Sequence, residues 1–314
     1  MAVSARFLET YQDRWDRRST IRSRPRRDPA GDAGLGDYYP IVRQPIAVHP
    51  DVTGIGGEAI AHILVQSSYK YMNDVALTET EVVNRTAIRI ANGRLAFDFP
   101  DIVRQIALTV VVDEAYHALV ARDFIRHVEL RTSIVPVALP NETELSRAIT
   151  STKSVLAPEL HDDFDVIAIC IAENTLTQEI VDLSGETNLA TPFAEALSDH
   201  LADEAQHAAF FQGVLDLYWN GIPESHRREL GAALPAFLRA YLNVTLQRAF
   251  DVDVLTALGM PAGRVARIVE DTHDDFGLGP QHPMLASILR LLDKAKVFTH
   301  APTHDVFAAQ SWIL

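Results

Sequence analysis

Apolar positions recur every three or four residues over most of this chain, and strict alternation is almost absent. That period belongs to helices that bury one face. From about residue 57, the residues Leu64, Ser68, Tyr71, Val75, Glu79, Val82 and Thr86 form one such stripe. FPDIVRQIALTVVVDEAYHALVARDFIRHVEL predicts a second helix, capped by Asp101 after Pro100 and running to about residue 130. APELHDDFDVIAICIAENTLTQEIVDLSG predicts a third that stops at Gly185. TPFAEALSDHLADEAQHAAFFQGVLDLYW predicts a fourth, opened by Thr191-Pro192 as N-cap and first-turn pair. Shorter helices are expected over 263–274 and 281–296, and a long one over 224–249. The pattern predicts an all-α chain with four long helices at the centre of a bundle and additional helices flanking it.

The ends of the chain differ from this middle. Residues 30–54 are rich in Gly, Pro and Asp and read as loop. Before them, DRWDRRSTIRSRPRRDP crowds arginines into a chain whose formal charge is −14. That stretch reads as a solvated, flexible arm or as a docking arm for a subunit or an acidic partner. The expected organisation is therefore an arginine-rich arm over 1–37 and one helical domain over 38–314. The acidic balance argues against nucleic acid as a partner. No apolar run is long enough for a membrane span, and MAVSARFLETYQDRW has no apolar signal-peptide core. A single cysteine, Cys170, excludes an internal disulfide and fits a reducing cytoplasm.

The apolar stripes are interrupted by acids and histidines in a repeated way. Asp-Glu-Ala-x-His-Ala occurs twice, at Asp113–Ala118 and at Asp203–Ala208. Each residue of a helix advances about 100°, so Glu114 and His117 lie about 60° apart on one face. Glu204 and His207 do the same, and His200, one turn earlier, falls within the same arc. Flanking Val110, Val111, Ala118 and Leu119, and then Leu197, Leu201, Ala208 and Phe211, turn these faces inward. Glu173 sits among Val166, Ile169, Cys170, Leu176 and Ile180 at helical spacing. Glu79 continues the stripe of the first helix, which leaves Glu81 on the outer face. Carboxylates converging in a core cannot all stay ionised without cations. Two divalent ions would balance four glutamates, and mixed carboxylate and imidazole ligation suits iron or manganese. Asp113 and Asp203 stand beside these residues, placed to accept the free N–H of a histidine on a neighbouring helix.

These residues resemble the ligand set of the ferritin-like di-iron carboxylate proteins. In those, two helices each contribute one Glu and two others each contribute Glu-x-x-His. The six plain positions correspond to Glu79, Glu114, His117, Glu173, Glu204 and His207. The seventh candidate, His200, looks like the extra histidine of the AurF-type di-iron N-oxygenases, the p-aminobenzoate N-oxygenase family. The intervals from Glu79 to Glu114, Glu173 and His200, and the entry segment YYPIVRQPIAVHPDV, are similar as well. The resemblance spans about residues 38–300. It implies a ferritin-like bundle holding two Fe ions through these seven residues. The implied activity is an oxygenase that activates O2 through a peroxo-diferric intermediate. Its implied substrate is a small-molecule or carrier-bound amine, oxidised to hydroxylamine, nitroso or nitro in secondary metabolism. A homodimer is implied too.

Electrons would come from an external reductase, since no dinucleotide fingerprint, flavin motif or cysteine set for an iron–sulfur cluster is present. Arg290 lies in a region resembling the place where the family keeps a carboxylate-binding arginine. Tyr116 and Cys170, each within a turn of a candidate ligand, line a pocket or pack in the core. His161, His226, His273 and His282 read as surface histidines, and His62 lies off the metal level. The six-residue core is shared with carbon hydroxylases and fatty-acyl desaturases, and a ferritin-like ferroxidase would use the same centre. A helical scaffold with structural acids is the non-enzymatic alternative. A long, wholly apolar cavity would favour a carbon substrate, and a cationic or amide anchor near the metals an amino acid, aryl amine or carrier-bound amine.

Overall fold

The computed structural model describes residues 5–23, 25, 36–273 and 278–314. Among the described residues there is no strand, and one isolated parallel bridge pairs Asp37 with Leu189. The helices of eight or more residues are α1 (Ala5–Arg18), α2 (Gly57–Thr78), α3 (Asn84–Ala91), α4 (Asp101–Thr132), α5 (Glu144–Lys153) and α6 (His161–Ser184). After them come α7 (Thr191–Gly221), α8 (Glu224–Tyr241), α9 (Thr245–Ala257), α10 (Ala262–Thr272), α11 (Pro283–Lys294) and α12 (Ala301–Ala308). The rod made by α2 and α3 packs with α4, α6 and α7 as the four-helix core. No helix among the described residues is long and apolar enough to cross a membrane.

Helix ends follow from local chemistry. Asp101, expected as the cap of α4, is instead its first helical residue: Pro100 holds the cap position without a side-chain hydrogen bond, and the acid sits in the first turn, where the helix dipole favours it. Ser133 ends the helix in the left-handed region, at φ 57°. Gly185 follows α6 as expected. The start of α7 differs: Thr191 is already helical, Pro192 is in the first turn and the cap is Ala190. The long helix expected over 224–249 is two helices. Its break at Leu242–Val244 is stabilised from elsewhere, because the Leu246 N–H donates to Glu144 Oε1 of α5 at 2.6 Å.

Each core helix carries two apolar stretches with the acids and histidines between them. One cluster holds Val65, Tyr69, Tyr71, Met72, Phe124, Ile180, Phe193 and Leu197. The other holds Val83, Ile106, Val110, Phe164, Ile169, Phe210, Phe211 and Trp219. Along α2 and α3, Glu79 separates Ala76 from Val82; along α4, Glu114 and His117 separate Val110 from Ala118. Along α6, Glu173 separates Ala172 from Ile180; along α7, the ligand candidates lie between Leu197 and Phe210. A polar layer thus lies between two apolar clusters of the core.

Residues 5–23, expected within a flexible or docking arm, are helical and lie against α4 and α7 of the same chain. Tyr11 is 1% exposed and its ring lies 5.8 Å from that of Phe210. Ser19 and Thr20 are buried too. The composition of this stretch reads as solvated because Arg14, Arg17, Arg18 and Arg22 face outward, while Tyr11, Ser19 and Thr20, which pack, are small or aromatic. Residues 26–35 lie outside the described residues.

Candidate metal centre

The first ligand candidate stands at an irregularity. Glu79–Val83 is a single π-helical turn between α2 and α3. Such a turn adds a residue to the helix and re-aims the side chains beside it, and it recurs at functional sites. Glu79 is 1% exposed, whereas Glu81 is exposed and lines a separate groove. The stripe read from the sequence therefore holds through the π turn.

All seven expected side chains converge. Glu79, Glu114, His117, His200 and Glu204 form one group of donors, and Glu114, Glu173, Glu204 and His207 form a second, each within 4.8 Å. Glu114 and Glu204 belong to both, so their carboxylates lie between two positions. The Glu79 side has two imidazoles and the Glu173 side has one. His200 Nε2 lies 2.9 Å from Glu79 Oε1 and 3.1 Å from Glu204 Oε1. His207 Nδ1 lies 2.8 Å from Glu114 Oε1, and His117 Nδ1 lies 3.3 Å from Glu114 Oε2.

The other ring nitrogens of His117 and His207 face the aspartates. His117 Nε2 is 3.0 Å from Asp203 Oδ2, and His207 Nε2 is 3.2 Å from Asp113 Oδ2. Each aspartate serves the histidine of the opposite helix, as the sequence suggested. A carboxylate accepting at Nε2 keeps the proton there and leaves the Nδ1 lone pair for a metal.

Left to protons alone, the cluster divides its charge. Burial pushes the Glu173 carboxyl well above its ordinary range, and the neighbouring charges of Glu204 and Glu114 push the same way. Burial likewise lifts Glu79 to about 7, against the opposing pull of His200. Burial works against ionised Glu204 as well, but His207 and His200 hold it well below the usual carboxylate range. For His117 and His207 burial favours the neutral ring, yet the surrounding carboxylates raise both well above an ordinary histidine. The imidazoles thus fill the role of cations that the acids demand. Both oxygens of Glu173, together with Glu79 Oε2 and Glu204 Oε2, are buried without a hydrogen-bond partner. Buried carboxylate oxygens in that condition are costly unless a cation takes them. The donor set, the shared carboxylates and the unpartnered oxygens therefore fit a pair of metal ions.

A narrow pocket reaches this layer from one side. Met72, Val75, Val120, Phe124 and Leu197 give it an apolar wall, and it ends at His117 and His200. Thr20, Tyr116, Glu195 and Asp199 are its polar lining. Tyr116 is thus a pocket residue, while Cys170 packs in the larger apolar cluster, off the pocket. Arg290 is exposed in a separate depression beside Asp293, Phe298 and His304, so it does not face this pocket. His273 is not a surface histidine: its side chain is 8% exposed and lies 2.7 Å from Asp251. His226 is likewise held, by Asp163 at 2.7 Å. Trp15, Ser19 and Thr20, which contact Asp113 and Asp203, were not legible as site residues; nothing in an arginine-rich stretch marks them.

No curated protein matches the chain. Residues 60–276 match the family model described as P-aminobenzoate N-oxygenase AurF, a stretch that contains all seven converging residues and both aspartates. That match covers well over half the sequence, and the chain belongs to the AurF family of N-oxygenases.

Proposed function

We propose that this chain is a non-haem di-iron oxygenase that uses O2 to oxidise the nitrogen of a small or carrier-bound amine. The observation that carries the reading is the pair of donor groups sharing Glu114 and Glu204, with the additional imidazole of His200 on the side where the pocket ends. Glu79, His117 and His200 would hold one iron, Glu173 and His207 the other, and the two shared glutamates both. The iron pair supplies the reduction of O2, with electrons from an external donor.

The chain's own residues do the rest. Asp203 and Asp113 hold the protons of His117 and His207 at Nε2, so both rings present Nδ1 inward. The apolar wall of Met72, Val75, Val120, Phe124 and Leu197 excludes water and accepts an aryl or alkyl body. An amine that arrives as an ammonium must lose a proton before its lone pair can react. Glu195 and Asp199, on the α7 face leading to His200, are carboxylates positioned to accept it. The same acids argue against the carbon-oxidising alternative, which would favour a wholly apolar cavity. A ferroxidase would have no use for an organic pocket ending at its metals.

The test is anaerobic iron reconstitution, metal analysis, and then exposure to O2 with a reductant and a panel of aryl and alkyl amines. About two irons per chain and conversion of an amine to hydroxylamine, nitroso or nitro product is the expected result. Iron binding with oxidation only of hydrocarbon probes would replace the nitrogen reading with carbon chemistry. Failure to bind iron would overturn both.

A further inference from the structure

We infer that the N-terminal segment Trp15–Thr20 is a positioning element of the metal centre, clamping the two aspartates that hold the ligand imidazoles. The inference rests on reading the cluster as a metal site, and it concerns residues outside the matched family region, which begins at residue 60.

The contacts are specific and doubled. The Trp15 indole N–H donates to Asp113 Oδ2 at 2.8 Å, and the Ser19 hydroxyl donates to Asp113 Oδ1 at 2.6 Å. The Thr20 hydroxyl donates to Asp203 Oδ2 at 2.5 Å, and the Thr20 backbone N–H reaches Oδ1 of the same carboxylate at 3.1 Å. Each aspartate is therefore held on one side by this segment and on the other by one imidazole. Asp113, Asp203, Ser19 and Thr20 are all at most 2% exposed. A buried carboxylate with fewer donors has freedom to rotate, and rotation releases the tautomer of its histidine. One short segment thus governs His207 and His117 together, and so both metal positions. Thr20 also lines the pocket beside His117 and His200, which ties the same segment to the substrate side. The segment has its own anchor in Tyr11, buried against Phe210.

The variants are Ser19→Ala, Thr20→Val, the conservative Thr20→Ser, and Trp15→Phe, each in the full chain. The probe is Co(II), added anaerobically, with visible ligand-field absorption and competition against a chelator as readouts. Circular dichroism of the metal-free proteins reports folding separately. Outer partners of ligating histidines change metal affinity about 10–100-fold. Because these residues act one step further out, Ser19→Ala and Thr20→Val should weaken Co(II) binding about tenfold and alter its visible spectrum. Thr20→Ser should restore both. Wild-type affinity and spectrum in folded Ser19→Ala and Thr20→Val would overturn the inference. If either fails to fold, Trp15→Phe decides, since it removes one N–H and keeps a ring: unchanged Co(II) binding and spectrum there count equally against the clamp. A wild-type protein that binds no Co(II) would instead defeat the metal-site reading beneath it.

Discussion

Replacing Glu173 with glutamine separates a metal ligand from a merely structural acid. Burial, then Glu204 and Glu114, hold this carboxyl well above its ordinary range, so the metal-free protein carries it as the neutral acid. Glutamine has nearly the same shape and the same charge. Metal-free stability should therefore change by less than about 1 kcal/mol. Metal binding should not survive so well. Glu173 is the one carboxylate of the second donor group that the first group does not share. With metal at 1,000 times its Kd, the wild type gains about 4 kcal/mol of linked stability. A 100-fold loss of affinity leaves about 1.4 kcal/mol. Unfolding entropy scales with length, so in a chain of 314 residues 1 kcal/mol moves Tm by about 1.5 °C. The metal-induced rise should fall from about 6 °C to about 2 °C. Paired anaerobic melts of both proteins, with and without Fe(II), measure it. An equal metal-induced shift in the two proteins would refute the ligand assignment. A metal-free variant several kcal/mol less stable than wild type would refute the protonation argument.

His200→Ala removes the additional imidazole from the Glu79 side while leaving Glu79, Glu114, His117 and Glu204 there. Metal analysis should still find iron in both positions, while product assays show amine oxidation reduced by an order of magnitude or more; undiminished turnover would make His200 incidental. Glu179→Gln tests a half-buried acid outside the metal cluster, whose carboxyl is pushed up from 4.5 to about 7 by desolvation and then by Asp74, against Lys70 and Arg43. Because the folded protein holds this proton more tightly than the unfolded chain, wild-type stability falls as pH rises from 4.5 to about 7. The glutamine variant should thus be more stable than wild type by up to about 3 kcal/mol at pH 8 and equal to it near pH 4, as urea titrations at the two pH values will show. Gly231→Ala would place a Cβ 2.0 Å from Thr303 Oγ1, in a fully buried and β-branched neighbour that has nowhere to move. It should cost about 1–3 kcal/mol in denaturant unfolding with no change in metal content.

The helices and the inward set of acids and histidines were determined by local sequence. A 100° advance per residue places Glu114 with His117, and Glu204 with His200 and His207, whatever surrounds them. The apolar neighbours of each pair then say which way that face must turn, and Glu79 and Glu173 follow from the same rule. Other features depend on contacts between distant segments. The break between α8 and α9 is held by Glu144 of α5, which no local window contains. The π turn at Glu79–Val83 is a small change of helical register, and composition does not mark it. Arg290 could be assigned to a helix from sequence, but only packing shows that this helix face opens away from the pocket. Periodicity likewise named the candidate ligands without saying which would be shared; that Glu114 and Glu204 lie between both donor groups is set by how α4 and α7 approach each other. The arginine-rich start is the clearest case. Its charges read as solvated, and those of Arg14, Arg17, Arg18 and Arg22 are, yet Trp15, Ser19 and Thr20 reach the buried aspartates because the folded bundle presents Asp113 and Asp203 as acceptors on that side. Helical period and burial are properties of a short segment and survive being read alone, whereas a hydrogen bond between residues more than ninety positions apart exists only once the chain has closed around it.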